Sequence, residues 1–352
     1  MSDTTLPTSL RERAIGAIMG AYIGDALGLG PHWYYDLDEL RAKYGGWIED
    51  YSDPQPGRYH GGMKAGQQSQ SGVILNMLID SLLEKGEYKE ADFCERLDRD
   101  LFPFLDGTPN IGPGGFTSQS IREAWVLRTQ QNKPWGEVAG FTDNTEAAER
   151  ILSLAVLYAN DPAKLSRMIS ENTRLTQCDE TVGAMTVAYG AILGMLVQGH
   201  ALDEEISGKL MALVGDQQLP FHAVTIPGSK PSGAGTFASP DALLSPSNIA
   251  CAAREDLIQP AWKVSLVYGM PCAVYHQFPA CYYLAARFKG DFEQAVLHAI
   301  NGGGQNMARA MLTGALVGAQ VGVGGIPKRF IEGLENSAEL LGRAEKLAAY
   351  IK

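Results

Sequence analysis

The chain has 352 residues, 45% hydrophobic and 20% charged, the balance of a globular protein with enough apolar side chains for a large core. Its net charge of −11 excludes a broad nucleic-acid or anionic-membrane surface, since either needs a basic face, and no lysine/arginine run occurs. The 5 cysteines (Cys94, Cys178, Cys251, Cys272, Cys281) are odd in number, far apart and without a C-x-x-C pair, which excludes a disulfide framework or zinc site and predicts reduced thiols.

The N-terminus, Met1-Ser-Asp-Thr-Thr-Leu-Pro7, lacks the basic-then-apolar layout of a signal peptide, so a cytoplasmic location is expected. The apolar run Ala14–Leu29 is interrupted by Asp25 and too short for a membrane span. Residues 10–29 read as a helix in which Gly16, Gly20, Gly24 and Gly28 share one face. Each glycine costs a helix about 1 kcal/mol relative to alanine, so the stripe needs a packing reason. Ala310, Gly314 and Gly318 form a matching stripe, and the two helices are predicted to cross at short distance. Asp25 lies amid glycine and alanine, where a carboxylate needs hydrogen bonds or a cavity. It reads either as a cap bonded to a neighbouring loop or as a pocket-facing acid.

Residues 31–68 read as irregular apart from a short acidic helix over Leu37–Lys43. His32, Trp33, Tyr34, Tyr35, Tyr59 and His60 give this stretch an aromatic surface, suited to stacking on a planar ligand or to plugging a core edge. Ser69-Gln-Ser71 then leads into a helical pattern over Gly72–Lys85, and another helix is predicted over 91–105. Gly112-Pro-Gly-Gly-Phe-Thr-Ser118 opens a helix from Gln119 to about Gln130. A glycine-rich turn feeding a helix start is the general build of a phosphate cradle, although neither the Walker pattern nor G-x-G-x-x-G is matched.

Further helices are predicted over Thr145–Tyr158, Ala163–Arg174, Glu180–Gln198, Asp256–Tyr268, Ala273–Phe288 and Asp291–Ile300. Residues 215–250 are rich in Pro, Ser and Gly and read as a long loop or lid. Helical patterning resumes unchanged beyond them, so one domain over 1–352 is expected. Gly302–Gly304 break a helix, and Gln305, Asn306 and Arg309 stand where the next one begins and free backbone N–H groups gather. No run of alternating strand pattern occurs, and the fold class is all-α.

Four motifs together resemble the ADP-ribosylglycohydrolase family. They are Gly20-Ala-Tyr-Ile-Gly-Asp-Ala-Leu-Gly28, the helix-opening triplet near 70, the glycine loop near 112, and Ala299-Ile-Asn-Gly-Gly-Gly…Gly314-Ala-Leu-Val-Gly-Ala319, in the family's order over about residues 11–325. The resemblance implies an all-α orthogonal bundle with a central cleft. It also implies, for active members, two magnesium ions held by a Thr-Asp-Asp triplet and a late Asp-x-Asp-Thr run. Here the first run falls on Ser69, Gln70 and Ser71, and the second on Gln305, Asn306, Met307 and Ala308. The family's frequent glutamate is replaced by His32, and its histidine by Gln177. Hydroxyls, amides and a thioether do not replace carboxylates around hard dications, so no metal cofactor is expected.

The same substitutions, with Gly-Gly-Gly-Gln-Asn-x-x-Arg-Ala, resemble the divergent branch that contains jellyfish lens J-crystallins and fish selenoprotein J. The resemblance leaves a ligand site at Ser69, Gln70, Ser71, Gly112, Gly114, Gly115, Thr117, Gln305, Asn306 and Arg309, with a small ribosyl or nucleotide molecule as partner. Asp25 and His32 are the candidates for a general base on water. A metal-independent binder of ADP-ribose or a related compound, a metal-independent hydrolase of an N- or O-ribosyl bond, and a crystallin-like structural protein all follow from this reading.

Overall fold

The computed structural model describes residues 8–219 and 241–351, and its seventeen α-helices among those residues follow the chain as one bundle. The first half holds α1 (Leu10–Leu29), α2 (Leu37–Tyr44), α3 (Gln70–Lys85), α4 (Glu90–Arg96), α5 (Gln119–Trp125), α6 (Glu146–Arg150), α7 (Leu152–Leu157), α8 (Pro162–Thr173) and α9 (Glu180–Val197). The second holds α10 (Ile206–Gly215), α11 (Asp241–Arg254), α12 (Val264–Tyr268), α13 (Val274–Arg287), α14 (Phe292–Ile300), α15 (Asn306–Val321), α16 (Lys328–Glu332) and α17 (Ser337–Ala349). No strand is formed among the described residues; two isolated bridges join Gly140 to Gln177 and Asn144 to Ala273.

The glycine stripes form the axis of the bundle. α1 runs antiparallel to α15, their pairing is the most extensive in the molecule, and every residue from Ala14 to Leu29 is buried. A Cβ added at Gly20 would lie 2.0 Å from the carbonyl oxygen of Gly314. At Gly16 it would lie 2.2 Å from Gly318 O, and at Gly24 2.1 Å from Ala310 O. Backbone therefore meets backbone along the predicted crossing, and no side chain larger than hydrogen fits there. α1 starts at a capping box in which Ser9 and Glu12 satisfy each other's N–H groups. α9 is long and apolar enough to cross a membrane by length and composition, and 78% of that window is buried, with α7, α8 and α15 among the helices packed against it.

Several expected boundaries differ. The helix predicted over 91–105 is α4 followed by a π-helical turn at Leu97–Leu101 and a 3₁₀ turn at Phe102–Phe104, because Pro103 supplies no N–H to continue it. Likewise α5 passes into a π-helical turn at Val126–Gln130. The helix predicted from Asp256 starts only at Val264: Asp256 has φ 55°, and Pro260 precedes a 3₁₀ turn at Ala261–Lys263. The stretch read as a loop over 215–250 is α11 from Asp241 onward. Ala242, Leu243, Pro246, Ile249, Ala250 and Ala253 bury one helical face there, which its serine and proline content obscures. The rest of that stretch, 220–240, lies outside the described residues.

Candidate functional site

The end of α1 meets the start of α3 through one carboxylate. Ser69 caps α3, its hydroxyl accepting from Ser71 N–H (3.1 Å). It also donates twice to Asp25, from its N–H to Oδ2 (2.8 Å) and from its hydroxyl to Oδ1 (2.5 Å). Burial pushes the Asp25 carboxyl up to about 7, the Ser69 bonds opposing and Glu149 adding a little. Asp25 is fully buried and holds a cap in place.

The glycine loop closes over this junction. Gly112, Gly114 and Gly115 have positive φ, and a Cβ at Gly114 would lie 2.1 Å from Gln70 N. Gln70 Nε2 donates to Thr117 Oγ1 (2.8 Å) and Pro113 O (3.3 Å). The N–H groups of Gly115 and Thr117 bond Gly112 O (3.1 Å) and Pro109 O (2.8 Å), and that of Phe116 reaches His60 Nδ1 (3.3 Å). Three donors that a phosphate would have needed are thus turned inward.

The triglycine turn is held from beneath. Gly303 and Gly304 have φ 63° and 60°. Fully buried Arg309 donates to Ala299 O (3.0 Å), Gly303 O (2.5 Å) and Gln277 Oε1 (3.4 Å), satisfying carbonyls left open where α14 ends. Among the described residues no carboxylate pairs with it, and burial lowers its guanidinium to about 10. Asn306 Nδ2 bonds Pro31 O (3.1 Å) and Ile300 O (3.2 Å). Gln305 Oε1 lies 2.5 Å from His32 Nε2, and His32 Nδ1 lies 2.7 Å from His60 Nε2. Both ring nitrogens of His32 are thus engaged, and the ring stacks on Trp33. Burial first, then the neighbouring His60, holds His32 well below its usual range, and burial takes His60 to about 4, so the pair is neutral at physiological pH.

Above this floor opens a cavity of about 200 Å³ between the start of α3, α5, α6 and the start of α15. Gln70, Ser71, Glu146, Glu149, Gln305 and Arg122 supply its polar wall; Trp33, Phe116 and Met307 supply an apolar one. Of the residues predicted for the site, Gln70, Ser71 and Gln305 reach this wall. Asp25, His32, Ser69, Gly112, Gly114, Gly115, Thr117, Asn306 and Arg309 stand behind it and shape it.

The two glutamates were not anticipated. Glu149 is 3% exposed; Ser71 Oγ donates to its Oε2, and Thr145 Oγ1 to its Oε1 (2.6 Å). Burial raises its proton affinity, the two hydroxyl bonds opposing. Glu146 is ion-paired with Arg150 and also accepts from Thr176 (3.0 Å) and Ser120 (3.2 Å). Gln177 braces the start of α6, donating to Thr142 O and Asn144 O (both 2.9 Å) and accepting from Ala147 N–H (3.0 Å). Arg122 lies with its guanidinium 5.6 Å from the Phe116 ring centre and donates to Thr117 O; among the described residues no carboxylate pairs with it.

At the positions where family resemblance places magnesium ligands, the donors are two hydroxyls, two amides and a thioether. Most are already bonded within the protein: Ser69 to Asp25, Ser71 to Glu149, Gln70 to Thr117, Gln305 to His32. No group of three or more His, Cys, Asp or Glu side chains suited to a metal ion occurs among the described residues. Such a donor set does not fit a pair of hard dications.

The family model for ADP-ribosylglycohydrolase matches residues 6–352. An uncharacterized protein of Archaeoglobus fulgidus is 25% identical over 341 residues, covering 96% of both chains. The ADP-ribosyl-[dinitrogen reductase] glycohydrolase of Rhodospirillum rubrum is 25% identical over 202 residues, 55% of this chain and 61% of that protein. The solved structure of an ADP-ribosylglycohydrolase-related protein complex shares the fold, with a TM-score of 0.64 over 98% of this chain and 99% of that one at 18% identity.

Proposed function

The chain belongs to the ADP-ribosylglycohydrolase family, and we propose that it binds ADP-ribose or a related ribosyl or nucleotide molecule in the cavity beside α3 and α6, without a magnesium pair. One observation carries this reading. Gln70 and Gln305 are 3% and 8% exposed, and each uses one end of its amide within the protein while lining the cavity. The other end of each amide, Gln70 Oε1 and Gln305 Nε2, stays open to the cavity, where a ligand hydroxyl can donate to the first or accept from the second. At about 200 Å³ the cavity is below the usual ligand-site range of roughly 300–1,000 Å³. It suits one ribosyl ring, with the remainder of the molecule lying against Trp33, Phe116 and Arg122. The Gly302-Gly-Gly-Gln-Asn306 wording favours the branch of J-crystallins and selenoprotein J.

The test is calorimetry and thermal shift with ADP-ribose, nucleosides and sugar phosphates, with and without EDTA. Saturable binding that EDTA leaves unchanged is expected. If no probe binds, the crystallin-like structural reading takes its place; stoichiometric micromolar Mg²⁺ binding would overturn the metal-free part. A metal-independent hydrolase is the second reading, supported by Glu149, a carboxyl of raised proton affinity on the cavity wall. Turnover of ADP-ribosyl-arginine or ADP-ribosyl-serine in EDTA would select it.

A further inference from the structure

We propose that Glu149 grips the sugar directly: its carboxylate takes both hydroxyls of a vicinal diol, so that filling the cavity with a ribosyl ring releases a proton. The proposal rests on the binding reading above and names the group that performs it.

Glu149 is a buried carboxyl on the cavity wall, and among the described residues no cation is ion-paired with it. The adjacent guanidinium, Arg150, is turned to Glu146 and to Asn172. Each Glu149 oxygen accepts a single protein hydroxyl, Ser71 on Oε2 and Thr145 on Oε1. An ionised carboxylate has about four acceptor positions, so roughly one on each oxygen stays open. Two open acceptors on neighbouring oxygens match two neighbouring O–H donors. The flanking amides complete the match, because a hydroxyl that donates to Glu149 still accepts. One end of Gln305 faces the cavity for that purpose, and the Gln70 carbonyl, which has no partner among the described residues, takes a further donor.

Charge governs the linkage. Burial raises the proton affinity of Glu149, and Glu146 adds to it while Arg150 opposes. From the neighbouring elements Asp25 of α1, Cys272 before α13 and Cys281 of α13 are within electrostatic reach. Arg309 of α15 is directed away, to the end of α14. Arg122 of α5 lines the same cavity but packs beside Phe116, and none of the other groups supplies a cation to the open side of Glu149. Two diol donors stabilise the carboxylate form only, so a bound diol lowers the proton affinity. Affinity should therefore rise with pH until the free protein has lost that proton.

The experiment is calorimetric titration of full-length wild-type protein and Glu149→Gln with ADP-ribose from about pH 5.5 to pH 8.5, in buffers of different ionisation heat, with ribose and 2-deoxyribose as competitors. Wild-type affinity is expected to rise with pH with net proton release, and 2-deoxyribose to compete at least about tenfold more weakly than ribose. Glu149→Gln should lose about tenfold or more in affinity together with the pH dependence. Thr145→Val gives an independent readout: loss of one hydroxyl donor raises the Glu149 proton affinity, so the rise in binding moves to higher pH. Wild-type protein that binds no ADP-ribose at any pH overturns the binding reading and this one with it. Binding by Glu149→Gln equal to wild type, a pH-independent wild type, an unmoved profile in Thr145→Val, or equal competition by the two sugars overturns this inference alone.

Discussion

The seam between α1 and α15 and the wall of the cavity share α15, whose start carries Gln305 and Met307, yet they satisfy opposite demands. Along the seam Gly16, Gly20 and Gly24 press backbone onto backbone, and an added Cβ would meet a carbonyl oxygen at 2.2 Å or less. At the cavity the chain does the reverse, leaving Gln70 and Gln305 buried with only part of each amide bonded. A rigid axis permits this at Gln305, which stands at the start of the locked α15, while Gln70 is held at the start of α3 by its bonds to Thr117 and Pro113. Gly20→Leu should break that arrangement most severely. Overpacking ordinarily costs about 1–3 kcal/mol, and here the obstacle is main chain that cannot rotate away. A loss above about 3 kcal/mol, or no folded protein, is expected in denaturant melts; an unchanged midpoint would mean that the helices do not touch there.

The next effect concerns Asp25, where the axis meets the site. Its carboxyl has an ordinary value of 3.8 and rises to about 7 on burial, so the folded state holds this proton more tightly than the unfolded chain. Its contribution to stability is therefore full below about pH 4 and is lost as pH rises to about 7, amounting to something on the order of 3–4 kcal/mol. His32 and His60, whose values are depressed, act with the opposite sign below about pH 6.5, and they titrate alike in wild type and variant. The difference in stability between wild type and Asp25→Asn should thus fall steadily from pH 4 to pH 7 and then level. A difference independent of pH would show that Asp25 is ionised in the folded protein.

Ser69 and Ser71 put the contrast between axis and wall within two residues. Ser69→Ala removes the cap of α3 and one of the two bonds to Asp25, which should cost about 1–2 kcal/mol of stability. ADP-ribose affinity should stay as in wild type, because Ser69 does not reach the cavity. Equal losses in stability and affinity would put Ser69 on the wall.

These residues also mark how far the sequence could be read. Regular spacing made the axis legible: four glycines every fourth position have few explanations other than a close partner. The meeting of three segments was legible too: the triplet at 69–71, the loop at 112–117 and the turn at 302–306 converge on one candidate site. The direction of each side chain was not. Arg309 reads as a free anion binder until the triglycine turn leaves carbonyls that need it. Glu146 and Glu149 do not stand out in the sequence, where Glu146 four residues before Arg150 has the spacing of a solvent salt bridge. The signal that could have exposed them is that the turns that follow, Ile151–Leu157, offer no charged face to continue, so α6 had to bury its charges.

The smallest expected effect distinguishes the wall from its mouth. Arg122 is the half-buried cation of the cavity, packed beside Phe116 and without a carboxylate partner among the described residues. Glu146 and Glu149 make the interior unfavourable for phosphate, so the charged part of an ADP-ribose molecule would be drawn to Arg122. Arg122→Gln should weaken ADP-ribose by about 1 kcal/mol, five- to tenfold, since a partly hydrated ion pair at this depth is screened. Uncharged adenosine or ribose should bind as before, and the ADP-ribose deficit should shrink as salt rises. If charged and uncharged probes weakened together, Arg122 would be shaping the cavity through its contact with Phe116, and the phosphates would have to lie elsewhere.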